Sequence, residues 1–212
     1  AGGVLNDVNL IIEELYEFVK YGGQTVVDAT SCGLGRDPLA VKKIAEETGV
    51  NIVIGCSWYR ESFYDKTIWE KSTNELADDI IKEINIGIGD TGVQAGIIGE
   101  IGSEDILNGR ISPVEERVFR ASARAQLATG VSIITHSLYT DIGLRHLSLL
   151  KEEGGSPHRV IIGHCGSYPH VDYYEALAEQ GAYVLFDDIR NMNSYEVNQK
   201  IRFIKSLIDK GF

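Results

Sequence analysis

Residues 112–136 read SPVEERVFRASARAQLATGVSIITH, a helix pattern followed by a strand pattern. Ser112 is a suitable helix cap, Pro113 suits a first helical turn, and Glu115 stands three residues after the cap, which together predict a helix start. The β-branched run VSIITH (131–136) then predicts a buried strand that ends on a histidine. A helix that leads into a buried strand is the repeating unit of an α/β fold.

The same alternation of strand and helix runs through the rest of the chain. The predicted strands are 25–30, 51–57, 94–102, 131–136, 159–164 and 182–188, and the predicted helices are 5–20, 38–48, 72–86, 112–130, 141–153, 171–180 and 195–210. Apolar strands between helices predict a parallel sheet covered by helices, and right-handed crossovers limit the topology to a doubly wound sheet or a closed barrel. The periodicity of the apolar residues does not distinguish the doubly wound sheet from the closed barrel.

Polar residues at the strand ends favour the barrel. Asp28, Glu100, His136, His164 and Asp187 all stand at the C-terminal ends of predicted strands. Several strands that present polar groups at one rim are typical of a TIM barrel, which closes with eight strands. Six strands are visible, so we expect an incomplete (β/α)8 barrel whose first and last strands are missing.

Length, charge and cysteine content indicate the number of domains, the excluded partners and the cellular location. Residues 1–212 are expected to form a single barrel domain, truncated at both ends, because 212 residues suit one domain. A formal charge of −11 argues against nucleic acid and anionic membranes as partners. Three cysteines without CxxC spacing argue against a disulfide framework. With no apolar run of membrane length and no signal peptide, a cytoplasmic location is expected.

Three strand-end residues have the chemistry of metal ligands. Glu100, His136 and His164 are separated by about one strand-helix unit each, so equivalent positions on adjacent strands are expected to converge. Imidazole and carboxylate are good ligands for zinc and similar divalent ions. The alternative for each histidine alone is a strand-end residue that bonds a loop carbonyl.

Other polar residues are expected to be structural. The remaining histidines, His146, His158 and His170, are expected to be solvated or capping residues. Asp28 and Asp187 could enter the site, although hydrogen bonds to loop groups are the preferred interpretation. Cys165 is expected to be a buried, inert thiol, because neighbours in an extended strand point in opposite directions.

Six stretches of the chain resemble, in order, the phosphotriesterase family of the amidohydrolase superfamily. They are VDATSCGLGRD (27–37), TGVNIVIG (48–55), AGIIGEIG (95–102), ARAQLATGVSIITH (123–136), HRVIIGHC (158–165) and GAYVLFDDI (181–189). The form GEIG, with Glu100 in place of the lysine usual in the family, is similar to the phosphotriesterase homology protein branch.

The resemblance implies a metal-dependent hydrolase with two divalent ions, zinc being the first candidate, at the C-terminal mouth of the barrel. It places Glu100 between the ions, and His136 and His164 on the more exposed ion. It implies a metal-activated hydroxide that attacks a small carboxylic ester or lactone, or second a phosphotriester. The sequence does not determine the oligomeric state, and a homodimer is one possibility.

Two residues of the segment WYRESFY (58–64) are candidate substrate-binding residues. The resemblance places Tyr59 near the substrate side of the exposed ion, where its phenol could donate a hydrogen bond to a carbonyl oxygen. Arg60 could pair with an anionic substrate group. The alternatives are that the aromatic residues pack the loop against the barrel and that Arg60 forms an exposed salt bridge.

The chain departs from the family pattern in two places. The family's first strand carries a His-x-His pair, which occurs nowhere in these residues, and the chain ends at SLIDKGF where the last strand, with its catalytic Asp, is expected. Activity of the chain itself is therefore in doubt. The hypotheses are a metal hydrolase that lacks its terminal strands here, a catalytically inert metal-binding remnant, and, last, a doubly wound binding domain with structural histidines.

Overall fold

The sheet is parallel and runs in chain order. The computed structural model describes residues 7–187 and 192–212, so residues 5 and 6 of the first predicted helix and residue 188 of the last predicted strand lie outside the described residues. The strands are β1 (Thr25–Asp28), β2 (Asn51–Cys56), β3 (Ile97–Gly102), β4 (Ile133–His136), β5 (Val160–Ile162) and β6 (Tyr183–Val184). Each pairs in parallel with the next, in the order β1-β2-β3-β4-β5-β6. The predicted barrel order is confirmed.

All seven predicted helices are present, and one more is found. The helices are α1 (Val8–Lys20), α2 (Pro38–Thr48), α3 (Lys66–Glu70), α4 (Thr73–Asn85), α5 (Pro113–Thr129), α6 (Ile142–Glu152), α7 (Val171–Glu179) and α8 (Ser194–Asp209). The unpredicted α3 has five residues, too few for a periodic pattern. Within the described ranges, no helix has the length and apolar character needed to cross a bilayer.

The caps form as the sequence predicts. Ser112 Oγ accepts a hydrogen bond from the Glu115 amide at 3.3 Å, and the Glu115 carboxylate accepts one from the Ser112 amide at 2.9 Å. The same carboxylate also accepts a hydrogen bond from the amide of Glu104, at 2.7 Å. The start of α5 therefore also holds the loop that follows β3.

The core lies under the middle strands. Ile98 and Ile101 of β3 and Ile133 of β4 are fully buried, as are Val118 and Phe119 on the facing helix α5. Burial of one such aliphatic side chain contributes about 1.5–3 kcal/mol. The C-terminal ends of β3 and β4 therefore stand on a fully buried part of the core.

The last two strands are shorter than predicted. Among the described residues of the predicted strand 182–188, Tyr183 and Val184 alone form β6, and β5 ends at Ile162, before His164. His164 has a φ of 56° and begins a short turn of 3-10 helix. The prediction that His164 lies within an extended strand is therefore wrong, because the chain turns directly after Gly163.

A buried ion pair joins the loop after β1 to α4. The Arg36 guanidinium donates to both oxygens of Glu83 at 2.8 Å and to the carbonyl of Gly55 at 2.7 Å. The side chains of Arg36 and Glu83 are 7% and 21% exposed. The pair connects β2 to the helical layer.

We expect the change Glu83→Gln to lower the free energy of unfolding by about 2 kcal/mol, because it leaves the buried guanidinium without a charged partner. The expected loss is below that of a fully buried pair, since Glu83 is partly exposed. Urea denaturation measures it. Glu46→Gln is the control, because Glu46 pairs with Lys42 at 3.8 Å on the surface and should cost less than about 1 kcal/mol. Equal losses in the two variants would contradict the expectation.

Candidate metal centre

Glu100 reaches the rim from the middle of the sheet. Its amide donates to the Ala29 carbonyl at 2.8 Å, beyond the end of β1. The register between β3 and β4 shifts between Ile98 and Ile101, so that Gly102 stands opposite His136. Irregular pairing of this kind redirects side chains at the rims of barrels. The Glu100 carboxylate is 20% exposed and lies beside both candidate histidines.

The three predicted ligands converge. Glu100 Oε2 lies 3.2 Å from His136 Nδ1, and Glu100 Oε1 lies 3.0 Å from His164 Nε2. One potential ligand atom from each residue lies within 4.8 Å of the other two. The three residues therefore come together at one point, as their spacing along the chain predicts. Two imidazole nitrogens and a carboxylate oxygen are a donor set that fits zinc and related divalent ions.

Asp187 belongs to the same cluster, which the sequence interpretation did not favour. Its Oδ2 lies 2.5 Å from His164 Nδ1. The Leu185 amide donates to the Ile162 carbonyl at 3.0 Å and the Leu185 carbonyl accepts from the Cys165 amide at 3.1 Å. These bonds hold the backbone that leads to Asp187 against the segment that carries His164, and the two side chains meet. A carboxylate on the second nitrogen of an imidazole fixes the orientation of the ring. Here it directs His164 Nε2 towards Glu100.

Asp28 has the local role expected of it. Its Oδ1 accepts hydrogen bonds from the Thr30 amide at 3.1 Å and from the Thr30 hydroxyl at 2.5 Å. These bonds shape the loop that follows β1.

Opposite charges stabilise each other at the rim. Burial opposes ionisation of Glu100, but the hydrogen bonds and charges of His136 and His164 outweigh it and lower its pKa to about 2. The hydrogen bonds to Asp187 and then to Glu100 raise the pKa of His164 to about 10. Without a metal ion, the cluster therefore holds a carboxylate next to a protonated imidazole. A metal ion that binds His164 must displace this proton.

Stability of the metal-free chain should fall in alkaline solution. The pKa of His164 is raised from 6.5 to about 10 in the folded chain. The stabilisation is complete below about pH 6.5 and is lost as the pH rises through 10. Urea denaturation in the presence of a chelator, between pH 6.5 and 10, measures this loss.

His164→Gln serves as the control for all other groups that titrate over the same range. The unaltered chain should lose more stability between these pH values than this variant does. Asp187→Asn should give an intermediate loss, because it removes the first of the two hydrogen bonds that raise the pKa. Identical pH profiles for the three proteins would contradict the expected protonation of His164.

Tyr59 reaches the cluster, and Arg60 lies over the Tyr59 ring. The Tyr59 hydroxyl is 3.1 Å from His136 Nε2 and 3.2 Å from Nδ1. The Arg60 guanidinium lies 4.7 Å from the centroid of the Tyr59 ring and 3.9 Å from a carboxylate oxygen of Glu104. Burial raises the pKa of Tyr59 to about 12, although Arg60 opposes the shift. The phenol therefore keeps its proton and can donate it in a hydrogen bond.

His146 is not the solvated or capping residue that the sequence suggested. Its side chain is fully buried and stacks on Phe119, with ring centroids 4.4 Å apart. His146 Nε2 lies 2.6 Å from the hydroxyl of Ser103, and Nδ1 lies 3.1 Å from that of Ser137. The prediction fails because His146 lies on the buried face of α6, where both ring nitrogens find partners. The exposed positions of His158 and His170 agree with expectation.

Cys165 is the buried thiol that was expected. It is fully buried, its Sγ lies 3.1 Å from the Ile162 carbonyl, and burial raises its pKa to about 12. The thiol is therefore protonated and unreactive. Strand alternation is not the reason, because the left-handed backbone of His164 turns the chain at this point.

Parallel strands in barrel order, with acidic and imidazole side chains gathered at their C-terminal ends, define part of an α/β barrel with a polar site at its mouth. The chain belongs to the phosphotriesterase family, which residues 5–212 match. The family expected from the six sequence stretches is confirmed.

The relatives include several hydrolases. The chain is 34% identical to the phosphotriesterase homology protein of Escherichia coli (strain K12), over 98% of this chain and 70% of that protein. It is 34% identical to the N-acetyltaurine hydrolase of Dictyostelium discoideum, over 98% of this chain and 58% of the relative. It is also 34% identical to an aryldialkylphosphatase of Saccharolobus solfataricus, over 83% of this chain and 55% of the relative.

Solved structures agree with the fold. The E. coli phosphotriesterase homology protein, complexed with phosphate in its active site, gives a TM-score of 0.91 over 98% of this chain and 70% of that one. A lactonase from Listeria monocytogenes, 27% identical, gives 0.91 over 98% of this chain and 68% of that one. The six strands therefore form a curled part of a TIM barrel.

Proposed function

We propose that Glu100, His136 and His164 bind a divalent metal ion, with zinc as the first candidate, in the active site of a hydrolase. The observation that carries the proposal is the convergence of their ligand atoms to within 4.8 Å at the ends of three neighbouring strands. The three residues come from separate strand-helix units. Parallel strand order brings these positions to one rim, and a shared cation accounts for two imidazoles and a carboxylate being the side chains found there.

The residues around the three ligands would have distinct tasks. A bound ion supplies Lewis acidity, which polarises a substrate oxygen and makes water more acidic. Asp187 holds His164 so that Nε2 is directed to the centre, and Glu100 supplies the negative charge that favours a cation there. Tyr59, protonated and next to His136, would donate a hydrogen bond to the carbonyl oxygen of the substrate.

The substrate proposed first is a small carboxylic ester or lactone, and the second is a phosphotriester. A lactonase and an aryldialkylphosphatase among the similar proteins support these two classes. The N-acetyltaurine hydrolases add an N-acetyl amide as a further carbonyl substrate. Arg60 is proposed to pair with an anionic group on the substrate, because its guanidinium lies next to Tyr59.

A cytoplasmic location is proposed on the state of the thiols. Cys32, Cys56 and Cys165 are all free, and a protein without disulfides suits a reducing compartment.

Titration of the chelator-treated chain with Zn²⁺ and with Mg²⁺, followed by calorimetry, tests the metal site. We expect about one Zn²⁺ per chain and much weaker binding of Mg²⁺, because imidazole ligands suit zinc and magnesium prefers an all-oxygen shell. Binding of Mg²⁺ as strong as that of Zn²⁺, or no Zn²⁺ binding, would overturn the proposal.

A further inference from the structure

A buried polar network lies behind the candidate metal centre. It consists of Ser103, Thr135, Ser137 and His146, each no more than 1% exposed. His146 Nε2 is 2.6 Å from Ser103 Oγ, His146 Nδ1 is 3.1 Å from Ser137 Oγ, and Ser137 Oγ is 3.3 Å from Thr135 Oγ1. The proposed hydrolase chemistry uses none of these four side chains.

The network connects the ends of the two strands that carry proposed ligands. Ser103 directly follows Gly102, the last residue of β3, and Ser137 directly follows His136, the last residue of β4. Gly102 and His136 are also partners in the β3–β4 register. One imidazole from α6 therefore bonds the first residue beyond each strand.

The chemistry of the network favours a geometric role over simple core filling. Buried hydroxyl and imidazole groups cost free energy unless their hydrogen bonds are made, and an apolar side chain would fill the same volume without that cost. Hydrogen bonds are directional, so the two bonds of His146 fix its ring and both serine hydroxyls. Stacking on Phe119 of α5 holds the ring plane as well.

We propose that His146 is a positioning residue that sets the separation of Glu100 and His136. The inference rests on the proposed metal site. Glu100 precedes Ser103 by three residues on the β3 side, and His136 precedes Ser137 directly on the β4 side. Without the imidazole, the two strand ends would lose their shared anchor, and the ligand atoms, now 3.2 Å apart, would be free to shift.

Cobalt binding tests the proposal, because Co²⁺ occupies zinc-type sites and its visible absorption reports the geometry of the ligands. We expect His146→Leu to weaken Co²⁺ binding by roughly 10- to 100-fold, the range typical of lost outer-shell partners, and to change the spectrum. His146→Gln should restore most of the affinity, since its amide both donates and accepts. Ser103→Ala, a milder change that deletes one bond, should weaken binding by about 5-fold.

Leu150→Ala is the matched control. Leu150 is fully buried on the same helix as His146, so its truncation should lower stability while Co²⁺ affinity and spectrum stay unchanged. Equal losses of Co²⁺ affinity in His146→Leu and Leu150→Ala would show a merely structural role and overturn the proposal. Unchanged Co²⁺ affinity in both His146→Leu and Ser103→Ala would also overturn it. Failure of the unaltered chain to bind Co²⁺ would instead overturn the metal site itself, and this inference with it.

Discussion

Divalent-ion binding is expected to disappear when His136 and His164 are both replaced by Ala. The two imidazoles supply two of the three proposed ligand atoms, and the remaining carboxylate of Glu100 is a weak ligand by itself. The loss should exceed the roughly 100-fold that removal of an outer-shell partner can cost. Titration of the chelator-treated variant with Zn²⁺ gives the affinity.

The matched control is the double variant His158→Ala, His170→Ala. It removes the same number of imidazoles from exposed positions, so any nonspecific binding by histidine is lost equally in both proteins. The control should bind Zn²⁺ as the unaltered chain does. A similar loss of binding in the two double variants would show that the proposed centre has no special affinity.

The fold could be predicted because each strand-helix unit carries its own signals. Ser112 and Glu115 form the capping box that their spacing indicates, and Ser72 and Glu75 form another. Between the helix patterns, each short apolar run marks a strand, and the last residues of that run mark its C-terminal end. The sequence alone therefore places Glu100 and His136, each at or near the end of its strand, at one rim.

The sequence could not show how single residues depart from regular structure. The left-handed backbone of His164 leaves no mark on hydrophobic periodicity, and neither does the early end of β6. Asp187 was therefore assigned to a loop role, although it pairs with His164 at 2.5 Å. His146 shows the same limit for burial. Its partners Ser103 and Ser137 lie in the loops after β3 and β4, and only the packed structure shows that both meet its ring.

The chain of 212 residues is expected to bind about one divalent ion and to hydrolyse lactones and phosphotriesters little or not at all. The resemblance to the family calls for a His-x-His pair to hold a second ion, and no such pair occurs in these residues. It also calls for an aspartate on the last barrel strand that takes up a proton, and the six strands of the described residues do not include that strand. Absence of a general base alone typically costs about 10²- to 10⁴-fold in rate.

Metal analysis of the purified chain, together with a lactone assay and a phosphotriester assay at saturating Zn²⁺, measures both expectations. One bound ion with little turnover would fit a centre made of Glu100, His136 and His164. These three side chains bind the ion, and a side chain that is a metal ligand is not free to take up a proton. Two ions per chain would show that further ligands lie among residues assigned here to structural roles. Full hydrolytic activity would show that a proton acceptor is present within these 212 residues. Asp187, whose carboxylate contacts His164 Nδ1, would then be the first residue to replace by Asn.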